Sequence, residues 1–184
     1  DGGMSFHGGL IGVLVAIAFV SWRGKLDFLR VSDYIAVNVP MGMMLGRLAN
    51  FVNGELWGRE TDVAWAMIFP GAGEVPRHPS QLYQAGLEGL LLLVVMLALF
   101  WKTRARYRRG LLVGIFTLGI GIARFVNEFF REPDPQLAEF AARTGLSMGQ
   151  WLTIPLILTG LIVTLYAVTR KPVGTGKAKD PQAA

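Results

Sequence analysis

The chain has 184 residues, of which 52% are hydrophobic and only 17% are charged, and its net charge is +5. Soluble domains carry charge on about 25% of their residues, so this composition excludes an ordinary soluble protein and favours a helical membrane protein. The absence of cysteine excludes a disulfide framework, a thiolate metal site and a cysteine nucleophile in this chain.

Several apolar stretches approach the roughly 20 residues that cross a bilayer core. They predict an all-α polytopic membrane domain over residues 1–169, with spans at 7–22, 34–53, 80–101, 110–128 and 150–169. The polar, glycine-rich residues 54–78 predict a folded surface segment, and residues 170–184 predict a disordered tail. Because the chain begins at Asp1, we expect an N-terminal part to be missing.

Basic residues predict the orientation of these spans. If the chain ends alternate, one side carries twelve Lys and Arg residues, namely Arg23, Lys25, Arg30, Lys102, Arg104, Arg106, Arg108, Arg109, Arg170, Lys171, Lys177 and Lys179. The other side carries four, namely Arg59, Arg77, Arg131 and Arg143. We therefore expect the first side and the tail to be cytoplasmic. The positive charge then reflects membrane orientation, and no nucleic-acid partner is expected.

Residues 46–59 (GRLANFVNGELWGR) are the first candidate site, because a cation and an amide end an apolar run. Arg47 and Asn50 lie one helical turn apart, and Glu55 follows in a glycine-spaced turn. Polar groups inside a span are costly unless they have partners or a wet cavity. Arginine can bind phosphate bidentately. The structural alternative is a hydrogen bond or ion pair between helices.

His7 stands at the start of the first span, followed by Gly8 and Gly9. Histidine exchanges a proton near neutral pH, so His7 is a candidate general base. The glycines would let a lipid headgroup or a neighbouring backbone come close. The alternative is an interfacial histidine beside packing glycines.

Arg124 and Glu128 have i, i+4 spacing at the end of the fourth span, and Arg131 follows one turn later. The spacing permits an intrahelical ion pair, and a second arginine near the surface would suit an anionic headgroup. Arg77 and His78 precede the third span and are either functional or loop-capping. Glu88, deeper in that span, needs a partner and is interpreted as structural. No nucleotide loop or metal-ligand cluster occurs, so no cofactor or metal is expected.

Several segments together resemble bacterial prolipoprotein diacylglyceryl transferases. They occur in the family's order across nearly the whole chain: residues 1–12 (DGGMSFHGGLIG), 46–59, 77–83 (RHPSQLY), 124–131 (RFVNEFFR) and 147–150 (SMGQ). Two positions depart from the family pattern, which often has Tyr where this chain has Ile120 and Glu where it has Gln84.

The resemblance implies an inner-membrane enzyme of seven spans, of which this chain would hold the last five. Such an enzyme transfers the diacylglyceryl group of phosphatidylglycerol to the lipobox cysteine of a preprolipoprotein and releases glycerol phosphate. By resemblance, the positions used for activity are His7, Arg47, Asn50, Glu55, Gly58, Arg124 and Glu128, and Arg47 matches a phosphatidylglycerol-binding arginine. Expected supporting residues are Gly8, Gly9, Asn53, Gly54, His78, Gln81 and Arg131.

The resulting hypothesis is that Arg47 and Arg124 hold the phosphate, with Asn50 and Gly58 beside the headgroup and Glu128 orienting Arg124. His7 is the candidate base for the substrate thiol, and Glu55 is its rival. The alternatives are a transporter or channel in which Arg47, Arg124 and Glu128 line a path, and a non-catalytic membrane scaffold.

Overall fold

The computed structural model describes residues 6–132 and 138–173. Within these ranges the chain forms helices and loops without a β-strand, which confirms the all-α class. The helices are α1 (Phe6–Gly24), α2 (Phe28–Val52), α3 (Ser80–Lys102), α4 (Leu111–Asn127), α5 (Ala138–Thr144) and α6 (Met148–Thr169). Part of α3, Ala85–Leu91, is π-helical.

Four of these helices, α1, α2, α3 and α6, are long and apolar enough to cross a membrane, as a polytopic membrane protein requires. The fourth predicted span corresponds to α4, a shorter apolar helix of 17 residues. Helix α2 begins at Phe28, six residues before the predicted position 34, because the Asp27 side chain accepts the backbone N–H of Arg30 at 3.0 Å and caps it. Residues 174–184 of the predicted disordered tail lie outside the described residues.

Helix α4 is anchored at its first turn by a carboxylate from α2. Asp33 is buried, and its oxygens accept the backbone N–H groups of Gly110 at 2.8 Å and Val113 at 2.9 Å. The first N–H groups of a helix lack partners within the helix, so Asp33 satisfies two of them from a neighbouring helix. The contact ties α2 to the start of α4.

Helices α4 and α6 pack closely along their length because glycines face the partner helix. A Cβ atom on Gly114 would lie 2.7 Å from Thr164 Oγ1, and one on Gly121 would lie 2.7 Å from Ile157 Cγ1. From the other side, a Cβ on Gly160 would overlap the backbone of Leu118. Small residues at such positions allow helices to approach each other in lipid. The α4–α6 pair is therefore a close-packed unit.

Seven buried apolar side chains from α2, α3, α4 and the connection between α3 and α4 form a cluster. Its members are Ala36, Val37, Leu92, Met96, Ala105, Leu112 and Ile120. Ile120 is 2% exposed, so the position where the family often has tyrosine is a core position here.

The surface segment 54–78 is folded and is tied to the chain that follows α4. Gly58 and Arg131 form an isolated antiparallel bridge, and the backbone N–H of Arg59 donates to Phe130 O at 2.9 Å. Arg77 pairs with Glu132 at 2.8 Å. These contacts place residues 54–60 beside the end of α4.

Gly160→Ala should destabilise the protein by about 1–3 kcal/mol, because the added methyl group would overpack the α4–α6 contact. The control is Gly42→Ala in α2, where a Cβ would meet nothing within 4 Å. Thermal unfolding in detergent measures both variants. Equal unfolding temperatures for the two would contradict the close packing at Gly160.

Candidate active site

A cavity of about 330 Å³ lies where the ends of several helices meet the surface segment. Its lining comes from α1, α2, α3, α4 and α6, residues 54–60 and the chain after α4. The lining residues are His7, Arg47, Leu56, Gln84, Arg124, Glu128, Arg131, Gly149, Leu152, Thr153 and Leu156. Three arginines, one carboxylate and one histidine therefore share a cavity with an apolar wall on α6, which suits an amphipathic anion.

Arg47 is connected to Asn50 and Glu55 by a chain of side-chain contacts. Arg47 Nη1 donates to Asn50 Oδ1 at 3.4 Å, and Asn50 Nδ2 donates to Glu55 Oε2 at 3.3 Å. The structure thus brings the three predicted residues together. Arg47 lines the cavity, whereas Asn50 and Glu55 do not and are connected to it through the arginine.

The end of α2 explains how Glu55 returns to Asn50. The backbone N–H of Glu55 bonds to Asn50 O at 2.9 Å, and that of Gly54 bonds to Phe51 O at 3.1 Å. This is a Schellman motif, in which the residue after the C-cap Asn53 adopts a left-handed conformation. Gly54 has a φ of 68°, which suits glycine. Asn53 and Gly54 therefore shape the turn that carries Glu55.

Arg124 contacts a carboxylate that its sequence spacing does not predict. Its Nη2 lies 3.4 Å from Glu88 Oε2 on α3, and the Glu88 side chain is fully buried. Glu88 was expected to need a partner, and Arg124 is that partner. The two residues are remote in sequence, so only the folded chain reveals the pair.

Glu128 directly follows α4 in the chain, and its carboxylate lies against the start of α6. Its Oε1 accepts a hydrogen bond from Ser147 Oγ at 3.1 Å, and its Oε2 lies 3.8 Å from Arg131 Nη1. Ser147 also caps α6, because its Oγ accepts the backbone N–H of Gln150 at 3.1 Å. A Cβ atom on Gly149 would stand 2.5 Å from Glu128 Oε1. The carboxylate thus fits against a helix start that has no room for a side chain at residue 149.

Gly58, expected beside the headgroup, is buried and lies outside the cavity lining. A Cβ atom there would lie 2.5 Å from Phe130 O and 2.6 Å from His78 O. Its place is the close crossing of three backbone segments. Gly58 is connected to the cavity through its bridge partner Arg131, which lines the cavity.

The remaining supporting residues lie in three places. Gln81 Nε2 donates to Glu55 O at 2.5 Å and so holds the turn after α2. His78 faces a second, apolar cleft of about 410 Å³, where its Nδ1 lies 2.9 Å from the Tyr83 hydroxyl and its ring contacts Phe130. Gly8 and Gly9 are exposed beside His7.

Sequence reasoning assigned no role to Gln84, Ser147, Gly149 or Thr153, which line or support the cavity. The capping pattern Ser147–Gln150 is the signal that could have located the start of α6. Within residues 6–132 and 138–173, no group of His, Asp and Glu side chains has a metal-binding arrangement.

Comparison with known proteins links this chain to one family. The family model for prolipoprotein diacylglyceryl transferase matches residues 1–166. A protein named phosphatidylglycerol–prolipoprotein diacylglyceryl transferase from Erythrobacter litoralis is 72% identical over 176 residues, covering 95% of this chain and 63% of the relative. Relatives with the same name from Idiomarina loihiensis and Zymomonas mobilis are 52% and 53% identical, with coverages of 95% and 93% of this chain and 64% and 59% of the relatives.

The chain thus spans between 59% and 64% of the length of these curated relatives. The family model, however, covers every residue that lines the cavity. The chain belongs to the prolipoprotein diacylglyceryl transferase family.

Proposed function

We propose that the full-length protein transfers the sn-1,2-diacylglyceryl group of phosphatidylglycerol to the lipobox cysteine thiol of preprolipoproteins. The products are a thioether-linked lipoprotein and glycerol 1-phosphate. The names of the relatives, phosphatidylglycerol–prolipoprotein diacylglyceryl transferase, support both substrates. The observation that carries the proposal is that Arg47 of α2 and Arg124 of α4 line one cavity.

The reaction moves negative charge onto the phosphate. The cysteine sulfur attacks the phosphate-bearing carbon of the diacylglyceryl unit, a carbon–sulfur bond forms, and the bond from that carbon to the phosphate oxygen breaks, which releases glycerol 1-phosphate. The electron pair of this bond stays on the oxygen, so the phosphate gains a charge. Arg47 and Arg124 stabilise this charge as it grows. The thiol supplies the proton that must leave before or during attack.

His7 is the proposed base for that thiol. It lines the same cavity as the two arginines, whereas Glu55, its rival, is exposed and lies on the far side of Asn50. The thiolate is the reactive form of cysteine, so a base near the thiol raises its nucleophilicity. In this assignment Glu55 supports Arg47 through Asn50, and Glu128 holds Arg131 and the start of α6.

The membrane setting is part of the proposal. The protein is a multi-pass protein of the bacterial inner membrane, with five spans in this chain of a seven-span fold and the cavity toward the periplasmic side. The tail is cytoplasmic. The twelve-to-four distribution of basic residues between the two sets of loops supports this orientation. The lipid tails stay in the bilayer while the headgroup occupies the cavity.

The reading of the site as a transport path has less support. Within the described residues, the charged groups of the cavity gather near one end of the helices and do not continue along the bundle as a path would require. Release of glycerol phosphate in the presence of a lipobox peptide separates the enzyme from a transporter and from a scaffold.

Arg47→Ala should reduce lipidation of a lipobox peptide by roughly 100-fold or more, because a charge-stabilising group is lost. The assay uses the full-length protein with phosphatidylglycerol and measures thioether product and glycerol phosphate. The control is Arg143→Ala, which removes an exposed arginine outside the cavity lining. Wild-type turnover of Arg47→Ala would remove the central claim.

His7→Gln should lower the rate by roughly 100-fold, which is typical of a lost general base. Glu55→Gln is the paired measurement. A larger rate loss in Glu55→Gln than in His7→Gln would make Glu55 the base.

Gly149→Ala should lower turnover by roughly tenfold or more, because the new methyl group would displace the Glu128 carboxylate. The thermal unfolding temperature should change little, because only the flexible end of the Glu128 side chain has to move. Gly12→Ala in α1, where a Cβ meets nothing within 4 Å, is the control. Unchanged turnover in Gly149→Ala would show that the position of Glu128 has no role.

A further inference from the structure

Glu88 is a carboxylate in the interior of a membrane-spanning helix. Its side chain is fully buried, and its Oε2 lies 3.4 Å from Nη2 of Arg124. Intramembrane carboxylates are costly and usually face a cation or a cavity. Glu88 does not line the cavity. Its partner does, and its side chain is 18% exposed.

The local backbone is specialised at this residue. Glu88 lies in the middle of the π-helical stretch Ala85–Leu91, and π-helical turns are rare and frequent at functional sites. The next residue, Gly89, meets α2 so closely that a Cβ atom would lie 2.5 Å from Met44 Cβ. Helix α3 is thus pressed against α2 at the level where Glu88 meets α4.

The two members of the pair differ in their relation to the cavity. Arg124 lines it, whereas the buried Glu88 carboxylate, which contacts the guanidinium, does not. The guanidinium is planar, with its donors in a fixed fork, so a contact at one terminal nitrogen sets the direction of the others. Arg47 brings a second positive charge to the same cavity. The negative charge of Glu88 offsets the repulsion between the two arginines.

We propose that Glu88 is a positioning residue, which orients Arg124 toward the phosphate and allows Arg124 to share the cavity with Arg47. This inference rests on the proposed transferase function. Glu88 itself does not touch the substrate. Its effect on the reaction is exerted through Arg124.

Glu88→Gln keeps the volume of the side chain and removes its charge. In the full-length protein it should lower the single-turnover rate of lipidation by roughly 10- to 100-fold, because a misplaced group near the reacting atoms costs about this much. Glu88→Asp keeps the charge with a shorter side chain and should retain more activity than Glu88→Gln. A residue that serves only packing would give the reverse order.

The decisive measurement is a double-mutant cycle with Arg124→Ala, using single-turnover rates with enzyme in excess so that slow variants remain measurable. If Glu88 acts through Arg124, adding Glu88→Gln to Arg124→Ala should change the rate less than threefold. Independent effects that multiply would overturn the proposal. Glu139→Gln, which changes an exposed glutamate of α5 outside the cavity lining, is the control and should leave the rate unchanged.

The two proposals fail in different ways. A wild-type protein that produces no thioether and no glycerol phosphate would refute the proposed function. An active wild type with a folded, fully active Glu88→Gln variant would refute the positioning role alone. If Glu88→Gln does not fold, the Glu88→Asp rate decides: a wild-type rate supports the charge contact, and a rate as low as that of Arg124→Ala contradicts it.

Discussion

Two positive charges at the end of an apolar helical bundle are the constraint on which the site depends. Of the eighteen Lys and Arg residues, sixteen are those that the sequence assigns to the two sides of the membrane, and the two that remain are Arg47 and Arg124. Charge in such surroundings is stable only when it is paired or hydrogen-bonded. Arg47 has Asn50 as its partner and Arg124 has Glu88. The surrounding helices are arranged so that each arginine keeps its partner and still reaches the cavity.

The arginines and the residues close to them in sequence could be predicted from the chain alone. Arg47, Asn50 and Glu55 share a short segment, and the pair Asn53 and Gly54 is a recognisable helix stop. Their association is therefore a local property, and the structure places them in contact as their spacing suggests. His7 also lines the cavity, at the start of its helix.

Contacts between distant segments could not be predicted in the same way. Glu88 and Arg124 lie on different helices, and no periodicity links them. The contact of Glu128 with the start of α6 depends on Gly149, whose missing side chain is informative only when the neighbouring carboxylate is known. The early start of α2 at Phe28 was missed because residues 28–33 include charged and polar side chains that interrupt the apolar run.

The Asp33 contact links two distant ends of the molecule. Arg124 lies in the last turn of α4, about 20 Å along the helix axis from the first turn, which Asp33 holds. The Asp33 contacts at the base of α4 and the close packing along one side restrain its rotation about the helix axis. The angular setting of a phosphate-facing arginine is therefore determined partly at the opposite end of the bundle. Substitutions at or near Asp33 can thus alter the chemistry of the cavity, although Asp33 does not line it.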